Sequence, residues 1–71
     1  MGTLLENALD QVTIEMLESL EYGEEIELNE EYTLYHYIED DLISVFRTED
    51  WEELFAVMYD KKTKEIVFEQ L

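Results

Sequence analysis

Leu5, Leu9, Val12, Met16 and Leu20 recur at intervals of four and three. That is the period of one helical stripe. Thr3 and Glu6 precede it with the spacing of a capping box, so a helix is expected to start at Thr3. Gly23 is expected to end it at about Glu21 or Tyr22. Leu4 and Ile14 fall off the stripe and read as spare apolar surface. From Glu24 the period changes to two. Ile26 and Leu28 alternate with Glu25, Glu27 and Asn29, which predicts a short half-buried strand. Glu30-Glu31 reads as a turn. Tyr32 to Ile38 is aromatic and β-branched, and Leu42 to Arg47 is similar, so both are expected strands. Glu39-Asp40-Asp41 separates them, and Thr48-Glu49-Asp50 ends the second.

Residues 51–59 fit two periods. Trp51, Leu54, Phe55, Met58 and Tyr59 match helical spacing, with Asp50 and Glu53 as a second capping box. The same residues also fit alternation. The strand is favoured because Phe55–Tyr59 and Glu65–Glu69 flank Asp60-Lys61-Lys62-Thr63-Lys64 as a hairpin. The pattern therefore predicts an α+β fold. One N-terminal helix packs on a small antiparallel meander of four to five strands, in a single acidic domain spanning 1–71. The middle strands are apolar on both faces, and one helix covers only one of them. A second copy of the chain is the simplest cover for the other, so a homodimer is expected.

Charge changes this picture. Twenty Asp and Glu stand against four Lys and Arg in 71 residues, a formal net charge of −16. Disordered acidic tails are poor in aromatics, whereas 13% of this chain is aromatic and 46% apolar. The expectation is a folded body with a negative surface. About 2–8 net charges keep a small domain soluble, and more of one sign oppose compactness. In an up-and-down meander, alternate turns share one end of the sheet. Glu30, Glu31, Glu49, Asp50, Glu52 and Glu53 are expected at one pole, with Glu6 and Asp10 near it. Lys61, Lys62 and Lys64 are expected at the other, facing Glu39, Asp40 and Asp41.

Candidate chemistry is sparse. His36 is the one histidine and stands between Tyr35 and Tyr37, a setting for packing rather than for a general base. Ser19 and Ser44 have no motif partners. Carboxylate pairs are too common here to point to glycoside hydrolysis. The two glycines make no phosphate-binding loop. Glu39-Asp40-Asp41 and Thr48-Glu49-Asp50 lack the ligand spacing of an EF-hand. No catalytic residue, metal site or cofactor is expected, and the chain does not read as an enzyme. Tyr32, Tyr35 and Tyr37 lack the basic groove of a nucleic-acid stacking platform. They read as core or dimer interface, and Trp51 as either a contact hot spot or a core anchor. Direct nucleic-acid and membrane binding are disfavoured by the charge. Met1-Gly2-Thr3-Leu4-Leu5-Glu6 lacks the features of a signal peptide, so a cytoplasmic protein is expected.

Carboxylates two apart on a strand lie about 6.6 Å apart, and those on one helix face about 5–6 Å apart. A nucleic-acid strand carries one charge per ~3.4 Å of axis. The acidic turns at Glu30-Glu31 and Glu49-Asp50-Trp51-Glu52-Glu53, with the helix acids, give the chain a resemblance. It resembles small acidic phage-encoded DNA-mimic proteins, most of all inhibitors of the bacterial nucleoid protein HU. The resemblance covers size, acidity, lack of cysteine and the helix-plus-sheet dimer, and DNA mimics share a charge pattern rather than a fold. It implies an inhibitor that works in the host bacterial cell during takeover by bacteriophage, occupying a basic DNA-binding surface and displacing DNA. The partner-binding residues would be Glu30, Glu31, Glu49, Asp50, Trp51, Glu52, Glu53, Glu6 and Asp10. The alternative is an inhibitor or adaptor that grips a host enzyme or defence complex through apolar contacts.

Overall fold

The computed structural model describes residues 3–38 and 42–71. The order is α1 (Leu4–Asp10), α2 (Ile14–Ser19), β1 (Glu25–Glu27), β2 (Tyr32–His36), β3 (Ile43–Arg47), β4 (Glu52–Asp60) and β5 (Glu65–Gln70). The expected α+β class holds. The expected turn at Glu39-Asp40-Asp41 lies outside the described residues.

The single N-terminal helix is corrected to two. Thr3 caps α1 as expected, its hydroxyl accepting the Glu6 N–H at 3.1 Å. At Thr13 the backbone turns extended (φ −122°, ψ 161°), and this second threonine caps α2 by accepting the Met16 N–H at 3.1 Å. The break re-aims the apolar residues. Ala8 and Leu17, absent from the expected stripe, are the most deeply buried helix side chains at 0% and 1% exposure. Ile14 is buried rather than spare, while Leu4 is exposed. Gly23 does not end a helix. It adopts φ 83° in the turn before β1, where a Cβ would meet the Ile38 side chain at 3.2 Å.

The five strands lie in chain order, each antiparallel to the next. Residues 52–60 form the longest strand, so alternation prevails over helical spacing there. The capping box expected for a helix at Asp50 does not form. Asp50 accepts the Glu52 N–H and binds Arg47 instead. A bulge between Val45 and Phe46 shifts the β3–β4 register, so that Phe46 faces Glu53.

The helices cover one sheet face. Leu34, Ile43, Val45 and Val57 meet Ala8, Val12, Leu17 and Leu20 in the core. Alternate strand residues point away from this core. Among them Thr33, Ser44, Phe46 and Ala56 are nonetheless buried. Phe46 lies among the rings of Tyr35, Tyr37 and Trp51, Ser44 donates to the half-buried Glu53, and the Thr33 hydroxyl shares a 2.7 Å hydrogen bond with that of Thr48. The smallest extent of the molecule, 20 Å, matches one helix layer on one sheet. Among the described residues no third layer lies on the open face. Among the described residues no helix is long and apolar enough to cross a membrane.

Candidate interaction surface: an acidic pole and an aromatic sheet face

The pole begins with Asn29. Its Oδ1 accepts the N–H groups of Glu31 and Tyr32 at 2.9 and 3.0 Å, closing the β1–β2 turn. Its Nδ2 donates to the Leu4 carbonyl at 2.7 Å, tying that turn to the start of α1. The Thr48 N–H donates to the Glu31 carbonyl at 2.8 Å and joins the β3–β4 turn to the β1–β2 turn. The two turns expected to share a pole are therefore hydrogen-bonded to each other. Glu30, Glu31, Arg47, Thr48 and Glu49 line a concavity of about 310 Å³ between them.

The pole is not uniformly acidic. Arg47, at the end of β3, donates through Nε and a terminal nitrogen to both oxygens of Asp50, at 3.0 and 2.7 Å. It also pairs with Glu52. The Asp50 hydrogen bond is the main reason the guanidinium is held still more firmly protonated, and Arg47 in turn lowers the Asp50 carboxyl below its ordinary range. All three side chains are exposed, so the pair organises the turn more than it stabilises the fold.

Not every expected pole residue belongs to the pole. Glu53 leaves it: paired with Phe46, it lies on the open sheet face and accepts the Ser44 hydroxyl at 2.6 Å. Trp51 leaves it too. With φ at 59°, the residue sits in the left-handed region that a bulky side chain seldom occupies. Its ring lies 4.9 Å from Phe46 and 6.0 Å from Tyr35. Glu6 lies in the first turn of α1, the helix whose start is tethered to the pole. Asp10 is at its far end, about 9 Å along the axis from Leu4. The expected pole thus divides. Glu30, Glu31 and Glu49 surround the concavity, and Asp50 and Glu52 are bound to Arg47.

Lys61, Lys62 and Lys64 are exposed in the β4–β5 turn, at the opposite end as expected. That turn is held by the Asp60 side chain, which accepts the Lys62 N–H at 2.8 Å. His36 is buried, and its Nδ1 donates to the Leu20 carbonyl at 2.8 Å, linking β2 to the end of α2. Tyr22 packs beside it at 4.6 Å. Among the described residues no group of three or more metal-ligating side chains converges.

The open face is apolar at its centre, as the sequence pattern of the middle strands led one to expect. Tyr35 makes edge contacts with Tyr37 at 5.5 Å and with Phe46 at 6.0 Å, and Tyr37 meets Phe46 at 5.7 Å. Tyr32, by contrast, packs against the helix-side core. Alternation alone assigns Tyr35 and Phe46 to this face. The gathering of Trp51 onto it depends on the turn and carried no sequence signal. Comparison with protein-family models, curated proteins and solved structures found no match.

Proposed function

We propose that the chain is a DNA-mimic inhibitor. It occupies the basic DNA-binding surface of a bacterial DNA-binding protein, with the nucleoid protein HU the favoured target, and displaces DNA. The observation that carries this reading is the joining of two acidic turns by the Thr48–Glu31 hydrogen bond, which fixes Glu30, Glu31 and Glu49 around one concavity. Carboxylates held on a rigid sheet present charge without the entropy cost of ordering a tail. A Lys/Arg surface that grips phosphates meets the same sign of charge in fixed positions, and association gains from steering. The net charge of −16 exceeds what solubility asks of a small domain.

The test is competition for DNA. Purified protein should release a labelled duplex from HU, and the triple variant Glu30→Gln, Glu31→Gln, Glu49→Gln should do so about tenfold less well, at roughly 0.5 kcal/mol per exposed charge. Failure to release DNA from any basic DNA-binding protein removes the reading. The homodimer expected from sequence is not required by it, and sedimentation measures that state directly. A second reading, an inhibitor or adaptor that binds a host enzyme or defence complex through apolar contacts, is favoured by the exposure of Trp51, Met58 and Val67. Under it, truncating Trp51 harms binding far more than neutralising acids.

A further inference from the structure

The face of the sheet away from the helices combines two features that the pole does not bring together. Its centre is aromatic and apolar: Tyr35, Phe46 and Trp51 touch one another, and Met58 and Val67 pair across β4 and β5. Trp51, Met58 and Val67 are 45%, 43% and 51% exposed. Its margins are acidic. Register places Glu25 beside Tyr35 and Glu27 beside Thr33 on the β1 side, and Glu69 beside Ala56 on the β5 side. Glu53 stands inside the patch, hydrogen-bonded to Ser44. Arg47 falls on the helix side of the register, and the lysines lie in the β4–β5 turn. Among the described strand residues of the open face, none is basic.

This pairing selects the occupant. A wholly apolar partner would strip water from the marginal carboxylates and return nothing to them. A second copy laid on this face would set Glu25, Glu27 and Glu69 against like charges. An arginine satisfies both parts at once. Its planar guanidinium stacks on aromatic rings, and its fixed fork of N–H donors matches a carboxylate. A lysine ammonium is a compact, strongly hydrated charge that does the second task but is poorer at the first.

We propose that the open sheet face is a docking surface for an arginine-bearing segment of a basic protein. Guanidinium groups stack on Tyr35 and Trp51 while pairing with Glu25, Glu27 and Glu53. This rests on the reading of the chain as a binder of basic proteins, and adds a contact on the sheet face to the one at the acidic pole.

The test uses the full chain with an arginine homopeptide and a lysine homopeptide of equal length. Binding is followed by Trp51 fluorescence and by NMR of the backbone amides and of the Met58 and Val67 methyl groups. The expected result is an affinity about two- to fivefold higher for the arginine peptide, the range for an exposed cation–π contact, with the Trp51, Met58 and Val67 signals all shifting. The variants Tyr35→Leu and Glu25→Gln/Glu27→Gln should each reduce that preference, and circular dichroism confirms that they fold. Equal affinities, with shifts confined to Glu30, Glu31 and Glu49, would overturn the proposal and leave DNA mimicry at the pole intact. Self-association that buries Met58 and Val67 would also overturn it. Retained arginine preference without release of DNA from HU or any other basic DNA-binding protein supports the docking face and removes mimicry instead.

Discussion

Single side chains decide how the acidic turns are held. Arg47 is the only base at the described pole, and its fork binds Asp50 while reaching Glu52. Replacing it by Gln should loosen the β3–β4 turn and lower the thermal midpoint slightly. The same change makes the pole more negative, so DNA release from a basic protein should strengthen at low salt. The pH dependence has a definite sign. The folded Asp50 carboxyl is lowered by Arg47, so the pair contributes fully above the ordinary aspartate range of about 3.9 and fades as pH falls through the lower folded value. Comparing wild type with Asp50→Asn by thermal melts should show a gap at neutral pH that closes in strong acid. Ser44 is fully buried and donates to Glu53. Ser44→Ala should cost about 1–2 kcal/mol in urea unfolding, because a charged acceptor loses its donor. No spacing rule links Ser44 to Glu53 in sequence. The pairing exists because the bulge at Val45/Phe46 sets Glu53 beside β3.

At the level of elements, the helix break at Thr13 invites the clearest stability measurement. Thr13→Ala removes the α2 cap and should cost about 1 kcal/mol, read as a lower urea midpoint with an unchanged slope. The strands were legible because period two runs through them with few exceptions. Even the ambiguous residues 52–60 resolved as a strand, since β5 needs a partner on that edge. The helix break was not legible. Apolar residues at intervals of four and three continue straight through Gln11–Thr13, and Thr13 lacks a Glu or Gln three residues on to announce a second cap. The period records which residues are apolar, whereas the break is set by how Ala8 and Leu17 both reach the same core. The pole was half legible for a related reason. Meander topology predicted that the β1–β2 and β3–β4 turns meet. The rotation of Trp51 and Glu53 onto the other face needed the left-handed backbone at Trp51 and the bulge beside it.

At the scale of the whole molecule, the radius of gyration of 11.4 Å is close to the ~11 Å of a compact chain this long. Compactness is reached despite twenty acidic residues, so salt that screens their repulsion should stabilise the fold. Raising ionic strength should lift the thermal midpoint while weakening any complex with a basic partner, and the two trends together separate self-repulsion from recognition. DNA mimicry requires this charged, rigid body to take the place of DNA on a basic protein. Anisotropy of a labelled duplex bound to HU, titrated with this protein at low and moderate salt, tests it most directly. Near-stoichiometric release of the duplex is expected at low salt, with a higher protein concentration needed as salt rises. A duplex that stays bound at every concentration of the protein would contradict mimicry.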